Sequence, residues 1–236
     1  MSYVRKEELA EGVVLYQGDC LEVLPTLGRF DACVTDPPYG IAHEAKAMEG
    51  QKATWDGTQI AGDKDTSVRD LALRDFDNVI AFGGWKRPPL ERAHTAWIWD
   101  KGPAAGGMNF HANWRNNWEM VFVRGKAWKL AGMDLGVVTG HWIPTWQHLG
   151  KEHPHQKPES LLSYIIQRTS GTSILDPFMG SGTTGVAAVK LGRKFTGIEI
   201  DGGYFDIAVK RISDALKQPD FFVDPPKPAK QEALSL

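Results

Sequence analysis

The sequence predicts an α/β fold with a mixed, mostly parallel sheet of about seven strands and helices on both faces. Two observations lead to this prediction. A strand–loop–helix unit spans residues 173–191, where a short β-rich run, a Gly/Ser/Thr loop and an apolar helix follow one another. In addition, four strand-like runs end in a carboxylate, at Asp19, Asp36, Asp176 and Glu199. Because ligands of open α/β sheets bind beyond the carboxyl ends of the strands, we expect these acids to converge on one edge.

The first part of the chain predicts two buried parallel strands, at residues 12–17 and 30–35, with a short helix from Leu21 to Leu27 between them. Residues 41–64 are polar, contain glycines and have few periodic apolar positions. We therefore expect them to form a mobile loop.

In the middle of the chain, the pattern predicts a helix at residues 66–76 and three strands, at 78–82, 95–99 and 119–124. All nine tryptophans lie between Trp55 and Trp146, so this part differs in composition from the two ends. Most of these side chains are expected in the core, as large aromatic side chains usually are. Residues 125–152 are irregular and rich in Gly, Trp and His, which indicates a small separate region.

The last part of the chain predicts a helix at 157–169 entered through Pro158, the strand–loop–helix unit, a strand at 194–200 and a helix at 204–217. The polar tail after it, residues 218–236, is rich in Pro, Lys and Ala, and we expect it to be disordered or an interaction arm.

The loop after Asp176 has the composition of a nucleotide-binding turn. Its glycines, Gly180 and Gly182, allow a ligand to approach the backbone, and the following helix begins with partial positive charge. It is not a Walker loop, because no Gly-Lys-Ser/Thr follows the glycines. Glu199 ends the next strand, and an acid about 20 residues past such a loop is the usual partner of ribose hydroxyls. A surface glutamate is the alternative interpretation.

The segment Asp36-Pro37-Pro38-Tyr39-Gly40 follows an apolar strand and indicates a pocket for a flat amine. Asp36 and the Pro37 carbonyl can accept hydrogen bonds, the prolines fix the backbone, and Tyr39 offers a face for stacking. A second Asp-Pro-Pro, at residues 224–226, lies in the polar tail without an aromatic residue and is interpreted as linker.

Taken with Gly18-Asp19-Cys20 and His155-Gln156-Lys157-Pro158, these motifs make the chain resemble a bacterial or phage DNA amino-methyltransferase that uses S-adenosylmethionine (SAM). It is similar to the group in which the Asp-Pro-Pro-Tyr motif precedes the SAM-binding motif. The resemblance is close over residues 12–40 and 153–212 and loose between them. It implies the Rossmann-like methyltransferase fold, a cytoplasmic enzyme in a bacterial cell or phage-infected host, and duplex DNA as the partner.

The resemblance also implies roles for individual residues. The target base would be held by the segment Asp36, Pro37, Pro38 and Tyr39. Asp19 would bind the adenine amine of SAM with the Cys20 backbone nearby, and Glu199 would hold the ribose. The methionine part would be enclosed by Asp176, Phe178, Gly180, Ser181, Gly182 and Thr183, and closed by Lys157 and Pro158, with Ser160 a weaker candidate.

The same resemblance divides the chain into regions. Residues 1–40 and 153–217 would form the catalytic and SAM-binding core, with part of 65–124 completing the sheet. Residues 41–64 would order when DNA binds, and 125–152 would recognise the target sequence.

Charge is unevenly placed along the chain, whose net charge is −2. Residues 86–129 contain eight Lys and Arg against three Asp and Glu, which predicts a local basic surface for DNA phosphates. A solvated face is the alternative. The DNA-contact candidates are Lys86, Arg87, Arg115, Arg124, Lys126 and Lys129.

Other chemistries are disfavoured by composition. Only two cysteines occur, Cys20 and Cys33, and both lie in or next to predicted core strands, which indicates reduced thiols. Neither follows a proline as in the carbon-5 cytosine methyltransferases, which argues against covalent cysteine catalysis. The histidines, including the His-Pro-His at 153–155, do not have the spacing of a metal site, so no metal is expected. No apolar run is long enough to span a membrane.

Within the resembled family, Asp at the first motif position is typical of adenine-N6 enzymes and Ser of cytosine-N4 enzymes, so adenine is predicted and cytosine stays open. A non-catalytic SAM-binding recognition subunit is a second alternative, which the intact Asp36 motif disfavours. An oxidoreductase would leave that motif unexplained. A homodimer and a cognate nuclease remain open.

Overall fold

A computed structural model of the chain describes residues 2–39, 64–102, 117–129, 136–139 and 157–218. Within these residues, nine strands form one sheet in the order β1-β2-β9-β8-β3-β4-β6-β5-β7. The strands are β1 (Arg5–Ala10), β2 (Val13–Gln17), β3 (Ala32–Thr35), β4 (Val79–Gly83), β5 (Thr95–Asp100), β6 (Trp118–Arg124), β7 (Val137–Val138), β8 (Ser173–Asp176) and β9 (Lys194–Glu199).

The sheet is mixed and mostly parallel, as predicted. Among its strands only β1 and β6 run against their neighbours, and the centre, from β2 to β4, is parallel throughout. Two strands exceed the predicted number of about seven. The edge strand β1 has the charged sequence Arg-Lys-Glu-Glu-Leu-Ala, without the apolar run that marks a buried strand, and β7 is only two residues long.

Helices cover both faces of the sheet, because successive side chains of each strand point to opposite sides. On one face Val34 and Phe82 pack in a large cluster that includes buried residues of α3 (Glu159–Gln167), α4 (Thr183–Lys190) and α5 (Gly202–Lys217). On the other face Cys33 and Ala81 pack in a smaller cluster beside α2 (Ser67–Leu73). Helix α1 (Cys20–Val23) also packs against the sheet, where its Val23 shares a third cluster with Ile198 of β9.

The strand order places two distant parts of the sequence side by side. The last residues of β3 and β8, Thr35 and Asp176, are 141 positions apart in the sequence. The two strands nevertheless pair in parallel, with Cys33 opposite Leu175. The predicted convergence of Asp36 and Asp176 on one edge is thereby confirmed. The pairing brings the segment after Thr35 and the loop after Asp176 to the same edge, which we call the carboxyl edge.

An antiparallel strand also reaches this edge. Because β6 runs against β4, with Gly83 opposite Met120 and Val79 opposite Arg124, β6 begins at the carboxyl edge and ends at the opposite edge. The start of β6 therefore faces the ends of β3 and β4. None of the helices in the described ranges is both long and apolar enough to cross a membrane.

Candidate active site

Asp36 lies one residue beyond β3 and both of its carboxylate oxygens are engaged. The Tyr39 hydroxyl lies 2.9 Å from Oδ1, and the Lys157 ammonium donates to Oδ2 at 2.5 Å. The Lys157 side chain is only 8% exposed, and its Nζ lies 5.6 Å from the centre of the Tyr39 ring. The structure thus joins the Asp-Pro-Pro-Tyr segment to the start of α3 through a largely buried ion pair.

Glu119, the second residue of β6 at the carboxyl edge, extends this arrangement. Its Oε2 lies 3.1 Å from the Tyr39 hydroxyl and 3.3 Å from the Lys157 ammonium, and its Oε1 pairs with Lys101. The Tyr39 hydroxyl has one hydrogen, so it donates to Asp36 or to Glu119 but not to both at once. We refer to Asp36, Tyr39, Lys101, Glu119 and Lys157 as the charge cluster.

The ionisation of the charge cluster follows from its pairing. Burial alone raises the pKa of Glu119, but Lys157 and Lys101 outweigh it and lower that pKa below its ordinary value. Burial alone lowers the pKa of Lys157, but Asp36 and Glu119 outweigh it and raise that pKa. For Tyr39, burial and the charges of Asp36 and Glu119 all raise the pKa. Glu119 and Lys157 are therefore charged, and Tyr39 neutral, at neutral pH.

The loop after β8 is fixed by Asp176, whose side chain is buried. Its Oδ1 accepts from the Thr35 hydroxyl at 2.6 Å and from the Phe178 amide at 3.1 Å, so β3 and the loop are tied together directly. Burial raises the pKa of Asp176 to about 6, although these hydrogen bonds oppose the rise.

The glycines of this loop adopt backbone conformations that favour glycine. Gly180 and Gly182 have φ values of 51° and 80°. A Cβ on Gly180 would meet no atom within 4 Å, so the loop has open space on that side, whereas a Cβ on Gly182 would lie 2.9 Å from the Ala208 side chain. The neighbouring Ser181 and Thr183 hydroxyls bond to Arg211 of α5, which anchors the loop from the other side.

Glu199 closes the same edge at the end of β9. Its Oε2 accepts from the Gly180 amide at 2.9 Å and its Oε1 from the Asp201 amide at 2.8 Å. Burial raises the pKa of Glu199 to about 7 despite these two bonds. The next strand, β2, places Asp19 beside it, since the Gly18 amide donates to the Glu199 carbonyl at 2.9 Å.

Asp19 is exposed and accepts from the Leu21 amide at 2.9 Å, so it caps α1. Cys20 is buried behind it, and burial raises the pKa of its thiol to about 12. That environment does not favour a nucleophilic thiolate. Phe178 packs partly buried against the same cluster as Cys20. Four strands thus bring an acid to the carboxyl edge: Asp176 and Glu199 are the last residues of β8 and β9, and Asp36 and Asp19 lie just beyond β3 and β2.

The start of α3 lies against this edge. Pro158 is buried and serves as the N-cap, while Ser160 is exposed. The assignment of Lys157 to the methionine end of SAM stays a prediction. In this structure its ammonium contacts Asp36 and Glu119 on the target-base side.

The predicted DNA contacts fall in three different environments. The prediction that Arg124 contacts DNA is wrong. Its side chain is buried, and its guanidinium donates to the carbonyls of Leu73, Phe76 and Glu91. Such a side chain holds the fold together and is not available to a phosphate.

Lys86 and Arg87 are exposed just beyond β4 at the carboxyl edge. Lys126 and Lys129 are also exposed, but they follow the end of β6 at the opposite edge. The described candidates Lys86 and Arg87 therefore do not share one surface with Lys126 and Lys129. Beside Lys126, a cavity of about 510 Å³ at that opposite edge is lined by Arg29, Asp31, Ala127 and Ser170, far along the strands from Asp36.

Several predicted features lie outside the described residues: Gly40, nearly all of the 41–64 loop, Arg115, the His155-Gln156 pair, most of the 125–152 region and the tail after residue 218. Within the described ranges no group of three or more His, Cys, Asp or Glu is arranged to hold a metal ion.

Comparison with known proteins agrees with this geometry. The family model described as DNA methylase, N6_N4_Mtase, matches residues 97–210. The putative methylase YubD of Escherichia coli (strain K12) is 28% identical over 218 residues, covering 84% of this chain and 88% of that protein. The type II methyltransferase M.HinfI of Haemophilus influenzae is 27% identical over 250 residues, covering 87% of this chain and 70% of that protein.

A shorter match is closer. The type II methyltransferase M2.DpnII of Streptococcus pneumoniae is 56% identical over 78 residues, which cover 32% of this chain and 29% of that protein.

Among solved structures, the M1.HpyAVI–SAM complex superposes with a TM-score of 0.57 at 22% identity, covering 84% of this chain and 98% of that one. The PvuII DNA methyltransferase (cytosine-N4-specific) superposes with a TM-score of 0.57 at 16% identity, covering 86% and 90%. These likenesses show that the sheet has the Rossmann-like methyltransferase fold.

Proposed function

We propose that this chain, which belongs to the adenine-N6/cytosine-N4 DNA methyltransferase family, methylates the N6 amine of an adenine flipped out of duplex DNA. The coarser activity, SAM-dependent methylation of a DNA base amine, follows from the family. The observation that carries the proposal is the pairing of β3 with β8, which sets Asp36 directly beside the glycine loop, with Thr35 bonded to Asp176 at 2.6 Å.

The carboxyl edge fits SAM. Glu199 offers a carboxylate for ribose hydroxyls beside the open backbone of Gly180, and exposed Asp19 offers an acceptor for the adenine amine on the next strand. Partly buried Phe178 supplies an apolar wall between them. When bound, SAM supplies an electrophilic methyl group on a positively charged sulfur.

The chain's own residues would make the amine a better nucleophile. A base amine is weakly nucleophilic because its lone pair is delocalised into the ring. Hydrogen bonds from its two N–H groups to Asp36 and to the Pro37 carbonyl favour a tetrahedral nitrogen and stabilise the positive charge that develops on it. Tyr39 would stack on the base, which cannot reach this edge while paired in a duplex.

The bond changes are simple. The nitrogen lone pair forms the new N–C bond, the C–S bond breaks with its electron pair remaining on sulfur, and the nitrogen then releases one proton to solvent. Alignment of nitrogen, carbon and sulfur supplies much of the remaining rate enhancement. The buried thiols of Cys20 and Cys33 have no part in these steps.

Adenine is favoured over cytosine because Asp36, rather than Ser, opens the motif. The cytosine-N4 reaction would use the same residues and is the second candidate, since one of the similar folds belongs to a cytosine-N4-specific enzyme. A SAM-binding subunit without activity is disfavoured by the complete set of side chains around Asp36.

The test is to incubate the purified chain with SAM and unmethylated genomic DNA, digest the DNA to nucleosides and identify the products by mass spectrometry. N6-methyladenine is the expected product. N4-methylcytosine would overturn the base assignment, and the absence of any methylated base despite SAM binding would overturn the enzymatic function.

A further inference from the structure

The charge cluster contains three charged side chains besides Asp36 of the Asp-Pro-Pro-Tyr motif, namely Lys101, Glu119 and Lys157. Four charged groups follow one another: Lys101 contacts Glu119, Glu119 contacts Lys157 at 3.3 Å, and Lys157 contacts Asp36 at 2.5 Å. The Glu119 and Lys157 side chains are 16% and 8% exposed, so water screens them weakly. Two cations alternate with two anions, and the cluster as a whole is neutral.

This neutrality matters because the proposed reaction transfers positive charge to the target nitrogen. Lys157 holds an Asp36 oxygen and therefore lies within a few ångströms of where that nitrogen must sit. An uncompensated ammonium there would repel the developing charge and raise the barrier. Asp36 must also serve the amine, and Glu119 is the second anion in contact with Lys157.

Glu119 also offers Tyr39 a second acceptor. In the structure both Asp36 oxygens are occupied, Oδ1 by the Tyr39 hydroxyl and Oδ2 by Lys157. Each carboxylate oxygen has two lone pairs, so an incoming amine would have to share Oδ1 or Oδ2 with the group already bonded there. Because Glu119 Oε2 lies 3.1 Å from the same hydroxyl, the Tyr39 hydrogen can turn to Glu119 and leave Oδ1 open to the amine.

We propose that Glu119 is a positioning residue for methyl transfer, which balances the charge of Lys157 beside Asp36 and accepts the Tyr39 hydroxyl when the target amine binds. Lys157 accordingly acts on the target-base side of the site. This inference rests on the proposed function and concerns the charge balance and hydrogen bonding around Asp36.

The experiment measures steady-state transfer of labelled methyl from SAM to unmethylated DNA and, separately, SAM affinity. Glu119→Gln keeps an acceptor oxygen for Tyr39 but leaves the cluster with one net positive charge. We expect kcat to fall about 10- to 100-fold, a range typical of lost electrostatic stabilisation, with the SAM dissociation constant changed less than about threefold.

The decisive variant restores the charge balance. The double variant Glu119→Gln/Lys101→Met removes one anion and one cation, so the cluster is neutral again. The proposal requires it to recover at least about fivefold in kcat over Glu119→Gln. Asp214→Asn is the matched control, since it removes one partner of an exposed ion pair at the end of α5.

Unchanged kcat in Glu119→Gln would overturn the proposal, as would a double variant no faster than the single one. If Glu119→Gln does not fold, the double variant alone decides: kcat within about tenfold of the unmodified chain is required, and a larger loss with SAM binding intact overturns the proposal. No methyl transfer by the unmodified chain would instead refute the proposed function, so the two failures are distinguishable.

Discussion

Glu199 should make SAM binding depend on pH in a way that can be calculated from the structure. Burial raises its pKa to about 7, above the ordinary value of 4.5. Ribose hydroxyls are donors and would bind the ionised carboxylate best. A protonated Glu199 must therefore lose its proton when SAM binds.

The size of the effect follows from that pKa. Below pH 7 the ionised fraction falls about tenfold per pH unit, which is about 1.4 kcal/mol of binding free energy per unit. We expect SAM to bind roughly 15-fold more weakly at pH 5.5 than at pH 7. Glu199→Gln cannot titrate, so its affinity should be weaker at pH 7 and nearly flat over the same range.

The assay is equilibrium binding of SAM by calorimetry between pH 5.5 and 7.5, with Asp19→Asn as a second variant that lowers affinity but keeps the slope. Titration of SAM itself affects all three proteins equally and cancels in the comparison. Equal slopes for the unmodified chain and Glu199→Gln would refute the reasoning.

The same shift has a consequence for stability without ligand. A carboxyl group whose pKa is raised by folding binds more protons in the folded than in the unfolded state, so stability falls as pH rises from its ordinary pKa to the raised one. The windows are 3.8 to about 6 for Asp176 and 4.5 to about 7 for Glu199. Glu119, whose pKa is lowered, loses its contribution only at more acidic pH.

Two further predictions concern the basic residues. Arg124→Met should lower the free energy of unfolding by about 2–4 kcal/mol in urea titrations, because three carbonyls lose their donor, and the salt dependence of DNA binding by the folded fraction should stay unchanged. The double variant Lys86→Ala/Arg87→Ala should weaken DNA binding and reduce the slope of log affinity against log salt by about 1–2 in fluorescence anisotropy. Lys126→Ala/Lys129→Ala, at the opposite edge, is the charge-matched control, and an equal loss there would place the duplex elsewhere.

The parts of the site that local patterns encode could be predicted from the sequence. A strand followed by an acid and a Pro-Pro turn fixes where Asp36 lies relative to its own strand, and the glycine loop does the same for Asp176. Their convergence was predicted because both acids end strand-like runs of an open α/β sheet, and the pairing of β3 with β8 confirms it.

Glu119 could not be found in this way, although its strand was predicted. Strand direction decides which end of β6 reaches the site, and direction depends on pairing with β4 rather than on local sequence. An acid at the start of an antiparallel strand is equivalent in position to one at the end of a parallel strand. Applied to residues 119–124, that rule would have indicated Glu119 and placed Arg124 at the far edge.

Arg124 was misjudged for a related reason. Its charge and its place in a basic stretch suggested surface, but two of the carbonyls that accept its hydrogen bonds belong to Leu73 and Phe76, at and just after the end of α2 and about 50 positions earlier in the chain. A buried guanidinium requires partners of this kind, and their convergence is a property of the tertiary structure.

The central claim is that Asp36 activates the target amine while the neighbouring loop binds SAM independently. The most direct test compares Asp36→Asn with the unmodified chain in two measurements, SAM affinity by equilibrium dialysis and methyl transfer to DNA. The substitution keeps the side chain's shape and removes its charge. We predict SAM affinity within about threefold and a loss of kcat of at least about 100-fold. Turnover close to that of the unmodified chain would contradict the account.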